Sequence, residues 1–224
     1  MTERIKLHPT TPHMKRIFEI ADAIKQGSVL LFPTDSQYAL GCEFTNQKGI
    51  KRIRQIRHLG KKHHFTLILN SLSGISRFAY LNDENFKLIK RLIPGPFTFI
   101  LPATKEVPKL LIHPSKKTIG IRVPDYEICQ QLIKEVTKPL LAVTAKKPEM
   151  EEGALKKLER EELLQKFDKQ VDVTIDDQQE LTANETTVLN LTNDQPEIIR
   201  EGLGMDRLQE ALNLEGMELN AVAT

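Results

Sequence analysis

The sequence predicts an α/β fold: a mixed sheet with flanking helices. Three observations carry that expectation. Short apolar runs of strand length, at 29–32, 65–69 and 139–143, alternate with longer segments whose apolar residues recur every three or four positions. The run 118–123 alternates strictly, placing Ile119, Ile121 and Val123 on one face and Thr118, Gly120 and Arg122 on the other. The run 29–32 stops at Pro33, which brings no N–H to a ladder, and Thr34, Asp35, Ser36, Gln37 and Tyr38 follow directly. A polar row at the C-terminal end of a buried strand is where open α/β sheets place ligands. A capped turn, with Thr34 or Asp35 bonding nearby backbone, is the alternative.

The remaining elements follow in order. Thr11-Pro12 reads as an N-cap and first helical residue, followed by the stripe Ile17, Ala21, Ile24 and a stop at Gly27. Asn46 caps a second helix with Ile50, Ile53 and Ile56, ending at Gly60. That helix is strongly basic, with Lys48, Lys51, Arg52, Arg54 and Arg57. Asn82 or Asp83 caps a helix with Phe86, Ile89 and Ile93, stopped by Pro94. Pro94-Gly95-Pro96 then turns the chain into the strand 97–101. Asp125 caps a helix that buries Ile128, Leu132, Ile133 and Val136. The stretch 146–169 is rich in Glu and Lys, and Leu155, Leu158, Leu163 and Phe167 mark a surface helix in it. Short strands are expected at 171–175, 186–191 and 197–200, and helical spacing resumes from Met205 before fraying.

With 224 residues, 40% of them hydrophobic, the chain buries a real core. One domain at 10–204 with a tail at 205–224 is expected. No apolar run approaches the roughly 20 residues of a membrane helix, and the polar N-terminus lacks a signal-peptide segment. Cys42 and Cys129 sit among apolar neighbours, as buried reduced thiols of a cytoplasmic protein do. Net charge is only +2, but between Lys48 and Lys117 fifteen Lys/Arg face three Asp/Glu. From Glu149 onward seven Lys/Arg face nineteen Asp/Glu. The middle third is therefore where an anionic partner, phosphate or RNA, is sought, against the plainer reading of a solvated face.

No metal-ligand spacing survives inspection, and His63-His64 has no acid or cysteine nearby. A nucleophile elbow, a Walker loop and GxGxxG are all absent. What remains are polar groups at strand ends: Thr34 and Tyr38, Arg57 with Lys61 and Lys62, Thr98, Arg122, Thr144 with Lys146, Thr186 with Thr187, and Arg200. An arginine on an apolar strand needs a carboxylate, a phosphate or solvent. Such groups hold a nucleotide or an amino-acid carboxylate, or else form structural ion pairs.

The ordered motifs LLFPTDSQYALGC, PGPFTFIL, TIGIRVP, AVTAKKP, TTVLNL and IIREG resemble those of the YrdC/YciO family of threonylcarbamoyl-AMP synthases and their relatives. IRHLGKKHHFTLIL and TKEVPKLL are most similar to the YciO branch. The resemblance implies a YrdC-like open, twisted mixed sheet with a concave, positively charged face. It implies ATP or AMP as ligand, with Mg accompanying ATP. Threonine and bicarbonate are the implied substrates, and double-stranded RNA or tRNA the implied partner.

Two functions follow from it: a YciO-type nucleotide- or RNA-binding protein with reduced or altered synthase activity, or an active L-threonylcarbamoyladenylate synthase, a nucleotidyltransferase of tRNA processing. Carried residue by residue, Thr34, Tyr38, Arg122 and Thr186 fall on the substrate side. Arg57, Thr144, Lys146 and Arg200 fall on the nucleotide side. The basic charge of the second helix and the turn after it, rather than the family pattern, puts Lys51, Arg54, Lys61 and Lys62 on the RNA side. No side chain is assigned as catalytic and none as a metal ligand. Two departures stand out. The synthases' KxR pair becomes Arg57 and Leu59, and their SxN triplet becomes Thr144-Ala145-Lys146.

Overall fold

Strands and helices alternate as the periodicity requires. The chain begins with β1 (Glu3–Lys6), α1 (Met14–Lys25), β2 (Leu30–Phe32), β3 (Ala39–Glu43) and α2 (Gln47–Arg57). There follow β4 (Thr66–Ile68), α3 (Leu72–Phe78), α4 (Asp83–Leu92), β5 (Phe97–Pro102) and β6 (Thr118–Arg122). The last elements are α5 (Glu127–Val136), β7 (Leu140–Thr144), α6 (Arg160–Asp168), β8 (Val173–Asp176), β9 (Thr187–Asn190), β10 (Glu197–Arg200) and α7 (Met205–Glu215). The structure is a computed structural model that describes residues 2–60, 63, 65–146, 159–181, 184–193 and 195–219. Leu155, Leu158, Lys61, Lys62 and His64 lie outside the described residues. The chain folds as two compact units, Met1–Lys61 with Tyr126–Asn184, and Lys62–Asp125 with Glu185–Thr224.

In the first unit the strand order is β1-β8-β2-β3-β7. β8 runs parallel to both β1 and β2, while β3 runs antiparallel to β2 and β7. Every residue of β2 and β3 is buried, which is why 29–32 reads as an unbroken apolar run. Helix α1 buries Ile17, Ile20, Ala21 and Ile24 and packs on α5. It ends at Gly27, whose φ of +101° a side chain would oppose. Asn46 caps α2, accepting from Gly49 N at 2.9 Å while its amide donates to Gly27 O at 2.8 Å.

Two of the expected caps are corrected. Helix α1 starts at Met14, and Thr11 instead bonds His8 Nδ1 through its hydroxyl (2.9 Å) and its N–H (3.2 Å). At α5 the N-cap position belongs to Tyr126 rather than Asp125, and the Tyr126 hydroxyl reaches away to Asp177.

The second unit has the order β4-β6-β5-β9-β10, with β4/β6 and β5/β9 parallel and β6/β5 and β9/β10 antiparallel. Phe65, Phe97, Phe99, Ile119 and Ile121 fill its core. Asn82 caps α4, as the sequence suggests, but the buried stripe is shifted by one residue. Asn85 is inside, donating to Leu191 O at 3.1 Å, and Phe86 is 39% exposed. Helix α7, in the stretch expected as a tail, packs on α4 with Leu208, Ala211 and Leu212 buried, and Arg91 pairs with Glu215. No helix among the described residues is long and apolar enough to cross a membrane.

Candidate functional site

In the second unit, strand register gathers side chains that lie far apart in the sequence. Ile121 faces Phe99, Thr98 faces Val188, and Arg200 faces Val188. Side chains alternate along strands, so Arg122, Thr98, Thr186 and Arg200 share one face. They also share one sheet end: the C-termini of β6 and β10 and the N-termini of β5 and β9. The row is bonded along much of its length. Thr98 and Thr186 hydroxyls lie 3.1 Å apart. Arg200 donates from Nε and Nη2 to the Thr186 carbonyl at 3.1 and 2.9 Å, and from Nη2 to the Thr186 hydroxyl at 2.9 Å.

The Arg200 Nη1 meets Glu185 Oε2 at 2.7 Å in a half-exposed pair of the kind a phosphate displaces at little cost. Thr187 completes the stitching by accepting from Gly202 N at 3.1 Å and donating to Leu203 O at 2.8 Å. The motifs TTVLNL and IIREG are thus two halves of one hydrogen-bonded unit. Arg122 is 8% exposed on the β6 strand of this row. Two guanidinium groups and two hydroxyls on one face suit an anion.

In the first unit, the polar row after β2 sits at one end of the sheet. It lies with the C-termini of β7 and β8, because β2 and β8 are parallel and Ala39 faces Thr144. Ala145 N donates to Tyr38 O at 2.8 Å, which sets the Thr144 and Lys146 segment beside the 34–38 turn. The capping expected of this turn is present. Thr34 is a turn former, accepting from Ser36 N at 3.2 Å and donating to Gln37 O at 2.6 Å. The turn also lines a pocket of about 580 Å³, together with Tyr126, Asp177, Glu180 and Leu181. No Lys or Arg lines it among the described residues, whereas Asp35, Asp177 and Glu180 do. Its acidic lining disfavours phosphates.

Sequence reasoning missed what holds the turn. The Tyr38 hydroxyl donates to Asp177 Oδ1 at 2.6 Å, and the Tyr126 hydroxyl donates to Asp177 Oδ2. Burial first, then the Asp177 carboxylate, pushes both phenol groups well above the ordinary tyrosine range, so both remain donors. The available signal was a second polar strand end, Asp176-Asp177, directly after the apolar run 171–175.

The basic helix α2 uses several of its cations internally. Arg52 donates from Nη1 to both Asp172 oxygens, at 2.8 and 2.7 Å. Arg54 donates from Nη1 to Gly60 O at 2.8 Å, and burial lowers its pKa. Arg57 lies in the last helical turn, its pKa likewise lowered by burial, and its Nε has no hydrogen-bond partner among the described residues. Lys48 and Lys51 are exposed. Among the described residues, no group of three or more His, Cys, Asp or Glu could hold a metal ion.

The family model for Sua5, YciO and YrdC proteins, described as telomere recombination, matches residues 22–202. The chain belongs to this Sua5/YciO/YrdC family. It is 37% identical to YciO of Escherichia coli over 204 residues, 91% of this chain and 97% of YciO. The crystal structure of E. coli YciO superposes with a TM-score of 0.82 at 36% identity, covering the same shares of the two chains. A threonylcarbamoyl-AMP synthase of Vibrio vulnificus is 28% identical over 130 residues, 57% of this chain and 69% of the synthase. Sua5 of Pyrococcus abyssi, solved with L-threonine, shares the fold with a TM-score of 0.82 at 23% identity, over 98% of this chain and 63% of Sua5. Family membership accounts for the order of the motifs. The Tyr38–Asp177–Tyr126 contacts come from the structure alone.

Proposed function

We propose that this chain is a YciO-type protein that binds a nucleotide, and double-stranded or transfer RNA, on a basic concave face, with synthase activity reduced or altered. The observation that carries this reading is the row Arg122, Thr98, Thr186 and Arg200 on one face and one end of the second unit's sheet. ATP or AMP fits the Arg200 end of that row through its phosphates, with Arg122 and Thr186 kept on the substrate side, and Mg would arrive on the ATP phosphates. The acid-lined pocket of the first unit suits a zwitterionic amino acid such as L-threonine. Arg57, Thr144 and Lys146 are assigned to the phosphate side, with Leu59 and Lys146 displacing the cation and amide expected there. Two buried free thiols suit the reducing cytoplasm.

A second reading, an active L-threonylcarbamoyladenylate synthase for tRNA modification, is favoured by the similarity to the V. vulnificus synthase. That reaction joins threonine and bicarbonate, with loss of water, as a carbamate whose oxygen attacks the ATP α-phosphate and displaces pyrophosphate. It needs no protein nucleophile, only cations placed on the phosphates. Calorimetric titration with ATP, AMP and L-threonine tests the first reading. Arg200→Ala should weaken nucleotide binding by about 1.5–3 kcal/mol, the worth of a charge-assisted hydrogen bond. Equal affinity in the variant would remove Arg200 from the site.

A further inference from the structure

We propose that Tyr38, Asp177 and Tyr126 form a clasp whose task is to position the 34–38 turn for its ligand, with Asp177 and Tyr126 as positioning residues. The clasp draws on three segments: the turn itself, the end of β8 and the entry to α5. Asp177 is 4% exposed and accepts from two phenol hydroxyls, one on each carboxylate oxygen. Its own N–H points back to the Tyr38 oxygen at 3.3 Å, and Gln179 N donates to Oδ1 at 3.2 Å. A buried carboxylate with this many donors has one geometry.

The loop carrying it is held at some conformational cost. Gln178 takes φ of +61°, a left-handed conformation unfavourable for a side chain, and donates its N–H to Asp176 Oδ1 at 2.9 Å. Asp176 in turn is paired with Arg160 of α6. A left-handed Gln next to a doubly bonded carboxylate that lines a 580 Å³ pocket marks a loop set for a site. The turn itself is short and internally bonded, so fixing Tyr38 fixes Thr34, Ser36 and Gln37 with it.

This inference rests on the amino-acid pocket proposed above, and its test separates the two. Wild type, Tyr126→Phe, Asp177→Asn and the double variant are compared by amide hydrogen exchange and by calorimetric titration with L-threonine. In both single variants the amides of 34–38 should exchange about tenfold faster or more, while those of β2 and β3 are unchanged. L-Threonine should bind about tenfold more weakly in each. Tyr126 acts through Asp177, so the double variant should bind no more weakly than Asp177→Asn. An independent structural role would make the losses add. Unchanged exchange at 34–38 overturns the clasp whatever the ligand. Exchange that changes while threonine affinity stays constant overturns the positioning role. If wild type does not bind threonine, the amino-acid assignment fails, and the exchange data still decide the clasp.

Discussion

A methyl group at Gly202 would overlap Glu185 O and lie 2.6 Å from the Thr186 carbonyl carbon, closer than atoms pack. That lack of room lets Arg200 close onto Thr186 and lets Gly202 N reach the Thr187 hydroxyl. Gly202→Ala should therefore cost about 1–3 kcal/mol by overpacking, seen as a lower urea midpoint at unchanged m-value. It should also weaken AMP binding through the displaced Arg200. Cys42 makes the opposite kind of point, a reactive group held inert. Burial, then the neighbouring Glu43, pushes its thiol up to about 12. Native protein should resist alkylation at Cys42 and at buried Cys129 at neutral pH, and both should label fully in denaturant. Rapid labelling of the native protein would contradict this burial. Residue types were legible at this scale. Arg122, Thr186 and Arg200 stand out as polar groups on apolar strands, but Glu185, Tyr126 and Asp177 do not, because their partners are set by register and loop geometry.

Helix α2 shows what an element's sequence tells and what it hides. Its cap Asn46 and its stripe at Ile50 and Ile53 follow from spacing, and both are found. That Arg52 belongs to Asp172, 120 positions away, does not follow. Asp172 also accepts from Val29 N at 2.8 Å. Burial raises its pKa, but Arg52 and the Val29 N–H outweigh that and hold it below the ordinary carboxylate value. A depressed folded pKa gives stability that is present above the unfolded value and is lost as pH falls through the folded one. The urea midpoint of wild type should thus exceed that of Arg52→Gln at neutral pH. The gap should close once pH drops below about 4 and through the depressed Asp172 value. A gap that persists in acid would mean Arg52 acts by packing its stem instead.

The missed elements have simple causes. β1 carries Glu3, Arg4 and Lys6 around the single buried Ile5. β3 reads ALGCE, poor in β-branched residues, and is held as a strand by neighbours on both sides. α3 spans seven residues with Gly74 inside, too short for a helical stripe to register.

At the scale of the molecule, charge is sorted along the chain, and two predictions depend on how much of it is free. If RNA binds the basic stretch, the contacts are phosphate contacts, since Lys and Arg on a helix offer little for reading bases. Affinity should then fall steeply with salt through counterion release. Charge reversal at Lys48, Lys51 and Lys61 should lower it regardless of RNA sequence, as a filter or anisotropy titration would read. Unchanged affinity would make the stretch an ordinary solvated face.

The synthase question turns on placement of charge rather than amount. Leu59 follows His58, which sits in a left-handed turn at φ of 49°, and Leu59 N bonds Arg54 O at 2.9 Å. A side chain there leaves the end of α2 at a fixed point, and here it carries no charge. Lys146, whose N–H bonds Thr144 O at 2.9 Å, brings a cation to the end of β7 where the family pattern has an amide. Catalysis needs donors aimed at the charge that develops in the transition state, so a cation displaced from that aim can hold a phosphate without accelerating the reaction. Wild type should bind ATP yet release little pyrophosphate with threonine and bicarbonate. Leu59→Arg combined with Lys146→Asn should raise that rate by about 10²–10³, the worth of one well-aimed donor. A wild type already as fast as its synthase relatives would show that the resident cations suffice. A double variant that binds ATP but gains no rate would mean that the site serves another ligand.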